Sequence, residues 1–297
     1  MSRERPRRLD AVLRHSRAAV RAAFGRDHEG ASPVAGELPI DDTNHWTRTA
    51  SLFEKVQRAG GVAVRPNYTW SLLHVAGICR ALNIPRYTAI EFGVAGGNGL
   101  VALDVTSRHV SELTGVEVDV IGFDMGTGLP PATDWRDAPY LMAPGDFPMD
   151  VEKLRSKLRS ARLILGPVGE TVGGFLAEDR APIGFIAFDL DYYSSTIDAF
   201  RVLEGPPGSL LPRVLSYFDD TLGYPWGDAN GERRAIIDFN TAHPSRLIDQ
   251  IHGLRHLLPI SQFHARWTDA MYLVHVTDHP RYDEDEGVSL VRRLDLE

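Results

Sequence analysis

The sequence predicts an α/β fold: a doubly wound, Rossmann-like sheet with helices on both faces, preceded by an N-terminal helical extension. Two observations predict it. From Tyr87 onward, short β-branched apolar runs alternate with helical stretches, as a series of βαβ units requires. The first run passes straight into a glycine-rich turn and later ones end in aspartate, and the carboxyl ends of parallel strands are where such sheets bind ligands.

Taken in order, strands are expected at residues 88–92, 118–123, 162–165, 183–188, 213–218 and 270–276, with helices near 98–112, 150–160, 194–204 and 231–242. Ahead of them, residues 1–26 carry eight arginines against two acids, with Leu9, Val12, Leu13, Val20, Ala23 and Phe24 at helical spacing. This reads as an amphipathic helix packed on the core or on a second subunit, so a homo-oligomer through that helix is expected. Residues 27–45, rich in Gly, Pro and Asp, suit a linker or ordered loop. The expected division is an N-terminal extension and linker over 1–60 and a catalytic domain over 61–297.

Composition narrows the partners. At 297 residues the chain buries a sizeable core, and its 43% hydrophobic and 24% charged residues are ordinary globular usage. No apolar run approaches the roughly 18 residues of a membrane span. A net charge of -8 argues against a general nucleic-acid binder, leaving small molecules as expected partners. The single cysteine, Cys79, lies in an apolar stretch and reads as a buried thiol. The amino terminus shows no secretory signal core, so the cytoplasm is expected.

The segment Glu91-Phe92-Gly93-Val94-Ala95-Gly96-Gly97 puts an acid at a strand end and then glycines, which let backbone approach a ligand closely. Ala95 stands where a dinucleotide fingerprint needs glycine, which weakens a pyrophosphate reading. The second strand ends at Asp124, placed to accept hydrogen bonds from ribose hydroxyls. Its distance from Glu91, 33 residues, exceeds the ~20 typical of nicotinamide enzymes. Glu91, Gly93, Gly97 and Asp124 are therefore the candidate cofactor residues.

A second group gathers further along. The fourth strand ends Phe188-Asp189-Leu190-Asp191 and the fifth Phe218-Asp219-Asp220. Adjacent parallel strands would bring these acids to one edge, where like charges resist ionising unless a cation intervenes, and an all-oxygen set suits Mg²⁺, Ca²⁺ or Mn²⁺ better than zinc.

These two strand ends and their loops resemble class I methyltransferases, and more narrowly the macrocin O-methyltransferase family of macrolide-sugar enzymes, over roughly residues 60–275. That family has an Asp followed shortly by Gly-Leu-Pro, as at Asp124 and Gly128-Leu129-Pro130, with Ser-Phe-Glu where this chain has Met125-Gly126-Thr127. The resemblance implies a methyltransferase-type sheet, S-adenosylmethionine as cofactor, and O-methylation of a small-molecule hydroxyl, on a sugar or natural product. It also implies Mg²⁺ on Asp189, Asp219 and Asp220, with Asp191 beside them. Asp189, Asp191 and Asp219 are the candidate catalytic residues.

Within this reading Ser194, Ser195 or Thr196 caps the following helix. Residues 126–150 and the Gly223–Asp228 turn with Trp226 shape the acceptor pocket, 166–171 walls the adenine side, and Tyr68 touches ligand or packs in the core. Catechol-type enzymes carry a lysine where this chain has Tyr192; its lysines are Lys55, Lys153 and Lys157, and His45 and His243 are weak alternative bases. Two rivals stay open: a metal-binding relative with different chemistry, such as a cephalosporin-hydroxylase-like protein, and a non-catalytic assembly protein of the same fold.

Overall fold

The computed structural model describes residues 65–257 and 265–284. The expected amphipathic helix and linker lie outside them, as does His45.

Thirteen regular elements follow one another in the described chain: α1 (Pro66–Ala81), β1 (Arg86–Phe92), α2 (Asn98–Thr114), β2 (Glu117–Asp124), α3 (Val151–Lys157), β3 (Arg162–Leu165), α4 (Val168–Leu176), β4 (Ile183–Phe188), α5 (Tyr193–Phe200), β5 (Leu210–Phe218), α6 (Gly231–Ala242), β6 (Arg246–Gln250) and β7 (Met271–Val276). The strands form one sheet in the order β3-β2-β1-β4-β5-β7-β6. β3 to β5 run parallel, and β7 lies antiparallel between β5 and β6. The order reverses between β1 and β4, and ligands bind at such a switch point.

Sequence chemistry accounts for the elements. Pro66 opens α1, where its missing N–H costs nothing. Gly115, at φ 74°, closes α2 by bonding the Ser111 carbonyl, a left-handed cap that glycine adopts without steric cost. β4 is buried along its whole length and β1 everywhere but Arg86, as strands covered by helices on both faces must be. Asp104 of α2 is buried, and its carboxylate accepts the backbone N–H groups of Arg159, Ser160 and Ala161, fixing the chain as it enters β3.

Two apolar layers sandwich the sheet. One packs α1 and α2, through Leu72, Val75, Leu100 and Leu103, on Ala89, Val120, Phe185 and Leu215, with Cys79 buried among them. The other holds Phe175, Phe200 and Phe239 against Phe92, Phe123, Phe188 and Phe218. The last four stack side by side across β2-β1-β4-β5, at centroid distances of 4.8 Å (Phe92 to Phe123), 5.6 Å (Phe92 to Phe188) and 4.5 Å (Phe188 to Phe218). Offset stacking adds to their burial. This phenylalanine row sets the site, because the residues directly after it are Asp124, Gly93, Asp189 and Asp219.

Two elements depart from the sequence expectation. β6 was not anticipated: it is an edge strand whose alternating buried and exposed residues include Arg246, Asp249 and Gln250. α4 occupies part of what reads as a pocket wall, because Gly169, Gly173 and Gly174 weaken its helical signal. No helix of the described residues is long and apolar enough to cross a membrane.

Candidate functional site

A cavity of about 260 Å³ lies over the carboxyl ends of β1, β2 and β4. Gly93, Ala95 and Asp124 form its floor, Gly166, Pro167 and Val168 one wall, and Asp189, Leu190 and Asp191 another. Leu129, Pro130, Thr133 and Phe147, from the connection between β2 and α3, cover it.

The floor is built by Asp124. Its Oδ2 accepts the backbone N–H groups of Val94 at 2.9 Å and Ala95 at 2.8 Å, and its Oδ1 accepts that of Gly126 at 2.6 Å. The carboxylate thus holds the glycine loop in shape, while Oδ1 keeps room for a ligand hydroxyl. Gly93 has φ 82°, and a Cβ there would fall 1.7 Å from the Asp189 carbonyl oxygen, so only glycine lets β1 and β4 end this close.

Glu91 and Gly97 lie behind the floor and do not line the cavity. Gly97, with φ 85°, starts α2, and a Cβ on it would meet Leu154. Glu91 is buried, accepts the Tyr68 hydroxyl on Oε1 at 2.7 Å, and has no partner for Oε2 among the described residues. Burial pushes its carboxyl up to about 7, against the opposing pull of Arg65 and the Tyr68 bond. Tyr68 therefore sits inside α1 and serves Glu91 and the core, its ring packed edge-on against Phe185 and Tyr217.

The acids of β4 and β5 share the sheet edge and meet across it, the Asp191 and Asp220 side chains being hydrogen-bonded to each other. Asp189 and Asp191 line the first cavity, whereas Asp219 and Asp220 line a second, of about 350 Å³, with Tyr217, Leu222, Trp226, Arg266 and Trp267. Tyr217 donates its hydroxyl to Asp219 at 2.5 Å, and the Asp191 N–H donates to Asp220 Oδ2 at 3.1 Å. Burial, then the charges of Asp219, Asp220 and Glu91, push the Asp189 carboxyl well up. Burial and the Asp219 charge push Asp191 up to about 6, and burial with Asp191 and Asp219 pushes Asp220 up to about 8. Arg65 stacks over Tyr68 at 5.3 Å, and burial opposes its charge, yet Tyr68, Glu91, Asp189 and Asp219 hold it charged.

Among the described residues, no three His, Cys, Asp or Glu side chains are grouped to hold a metal ion. The expected Mg²⁺ site on Asp189, Asp219 and Asp220 is therefore not supported. The strand spacing brings the three acids to one edge, where Asp189 lines the first cavity and Asp219 and Asp220 the second, and Asp219 and Asp220 are partly engaged by Tyr217 and the Asp191 amide.

Asp191 is the apex of a tight turn: its φ is 59°, and the Tyr192 N–H bonds the Leu190 carbonyl at 2.5 Å. Positive φ at a non-glycine residue stores strain, which clusters at functional sites. Three contributors were missed by sequence reasoning. Buried Asp137, from the covering connection, accepts the Ser194 N–H at 2.8 Å and hydroxyl at 3.0 Å, so α5 is capped from outside rather than by Ser194, Ser195 or Thr196. Arg136 beside it lies 3.8 Å above the Tyr193 ring and bonds Asp238 and Asp134. Glu232, wholly buried at the start of α6, bonds the Asp220 N–H at 3.1 Å. His243 caps the far end of α6 on Phe239, away from both cavities.

Neither a protein-family profile nor a curated protein matches the sequence. Among solved structures, the O-methyltransferase NovP aligns with a TM-score of 0.52 at 11% identity, covering 80% of this chain and all (100%) of its own. The chain shares the fold of this O-methyltransferase. The calicheamicin methyltransferase CalS11 aligns with a TM-score of 0.45 at 20% identity over 77% of this chain and 96% of its own. An O-methyltransferase from Bacillus cereus in complex with SAH aligns with a TM-score of 0.35 at 13% identity, over 77% and 90%.

Proposed function

We propose that this chain is an S-adenosylmethionine-dependent O-methyltransferase acting on a small-molecule hydroxyl. One observation carries the reading: the cavity at the sheet's switch point joins the Asp124-braced glycine loop on one side to the acids Asp189 and Asp191 on the other. Cofactor and proton acceptor would then share one chamber. The fold held in common with NovP, an O-methyltransferase by name, and the motif resemblance support the same reading.

The residues present suit the cofactor. Gly93 leaves the floor open, Asp124 Oδ1 has capacity for ribose hydroxyls, and the Gly166–Val168 wall offers an apolar face to adenine. S-adenosylmethionine supplies an electrophilic methyl group when bound. With the cofactor bound, Asp191, its carboxyl near 6 and lining the cavity, would accept the proton of the acceptor's hydroxyl. Asp189 lies beside it on the same wall. Asp219, Asp220 and Trp226 line the second cavity, where they would hold the acceptor's neighbouring hydroxyls. No step is assigned to a metal ion.

Calorimetric titration with S-adenosylhomocysteine, with Mg²⁺ or EDTA, is the first test, followed by transfer of labelled methyl to a panel of sugars and phenols. Saturable binding in both buffers is expected, as is turnover that falls at least ~100-fold in Asp191→Asn with binding retained. No binding to the folded wild type would reject the methyltransferase reading.

A further inference from the structure

An acid in the first turn of a helix ordinarily meets solvent and its own helix's free N–H groups. Glu232 does neither. It has no exposed surface (0%), and its carboxylate reaches out of α6 to backbone belonging to two other elements. Oε2 accepts the Asp220 N–H at 3.1 Å, just past the end of β5. Oε1 accepts the Leu190 N–H at a longer 3.4 Å, just past the end of β4. A third link closes the ring, because the Asp191 N–H donates to Asp220 Oδ2 at 3.1 Å.

The ring encloses the strained turn at Asp191. A non-glycine residue at φ 59° persists only where its surroundings over-determine it, and here both neighbouring N–H groups are pinned, that of Leu190 by Glu232 and that of Asp191 by Asp220. Burial, then the acids Asp220 and Asp189, push the Glu232 carboxyl well up, and the backbone donors of Asp220 and Leu190 oppose that shift. A side chain that served only to pack α6 would be better apolar.

We propose that Glu232 is a positioning residue that straps the Leu190–Asp191 turn to the Asp219–Asp220 turn, and so sets where Asp191 stands in the wall of the cofactor cavity. The functional part of this rests on the methyltransferase reading above; the strap itself does not. Glutamine at 232 keeps the shape but offers one acceptor oxygen where two N–H groups need one each, and alanine removes both.

The test compares wild type, Glu232→Gln and Glu232→Ala in S-adenosylhomocysteine affinity, melting temperature and backbone amide resonances. Expected is a 3- to 10-fold weaker affinity in Gln, with melting within a few degrees of wild type. The resonances of Leu190, Asp191 and Asp220 should move while Gly115, remote at the end of α2, stays put. Unchanged affinity in folded Glu232→Gln would overturn the proposal, whether or not those resonances move. So would weaker affinity accompanied by resonance shifts spread evenly over the chain. If alanine prevents folding, glutamine alone decides. Should wild type itself fail to bind S-adenosylhomocysteine, the functional reading falls, and unmoved resonances at Leu190, Asp191 and Asp220 would still sink the strap.

Discussion

Asp124 Oδ2 lies 2.8 Å from the Ala95 backbone nitrogen, on the far side of the cavity floor from its own strand. With the Val94 and Gly126 bonds, this makes one carboxylate the tie between two loops. Asp124→Ala should therefore cost about 2–4 kcal/mol of stability as well as S-adenosylhomocysteine binding, since three N–H groups lose a charged acceptor. Denaturant melts beside calorimetry check it. A variant as stable as wild type would mean that the acid serves the ligand and not the loop.

The glycine loop supplies a sharper contrast. Gly93→Ala drives a Cβ into the Asp189 carbonyl, 1.7 Å away, from a left-handed backbone, whereas a Cβ at Gly96 meets nothing within 4 Å. The first change should cost more than about 4 kcal/mol or prevent folding, and the second should stay within about 1 kcal/mol of wild type. Soluble yield and melting temperature of the two variants decide it. Equal tolerance would show that β1 and β4 separate more easily than their packing implies.

Much of this arrangement was legible in sequence. Phe92-Gly93, Phe123-Asp124, Phe188-Asp189 and Phe218-Asp219 each mark a strand end, and parallel pairing in register turns four dipeptides into one row. What was not legible is set by tertiary partners. Asp137 and Ser194 are 57 residues apart, and Glu232 at a helix start reads as an ordinary dipole partner until its burial is seen. The magnesium expectation is not supported by the described residues, for a related reason. Spacing brings acids to an edge, but it does not say into which cavity each one turns.

Glu91 gives a pH prediction with a definite sign. Burial raises its carboxyl from 4.5 to about 7. Below pH 4.5 it is protonated in both folded and unfolded chains, and its contribution is fully present. As pH rises through 7 the unfolded chain ionises first, so stability is lost across that window, by about 3 kcal/mol. Glu91→Gln keeps an acceptor for Tyr68 and has nothing to ionise. Its stability relative to wild type should rise by about that amount between pH 4.5 and 8, measured by urea unfolding. Parallel curves for the two proteins would refute a raised Glu91.

The covering connection between β2 and α3 is latched to α5 and α6 through Arg136 and Asp137. Arg136 stacks on Tyr193 and bonds its hydroxyl at 2.8 Å and Asp238 at 3.1 Å, while Asp137 collects the Thr133, Asp134 and Ser194 N–H groups. Because Leu129, Pro130 and Phe147 roof the cavity from this same segment, ligand exchange requires the latch to yield or the roof to flex around it. Arg136→Ala should release it: faster association and dissociation of S-adenosylhomocysteine in stopped-flow, by a few-fold each, with little change in equilibrium affinity, and faster protease cleavage within 125–150. Asp137→Asn, which replaces one oxygen of a buried carboxylate with an N–H donor, should show the same kinetics and lose about 2 kcal/mol of stability. Exchange rates unchanged in both variants would mean that the roof opens elsewhere, and the latch would then be a brace for α5 rather than a gate.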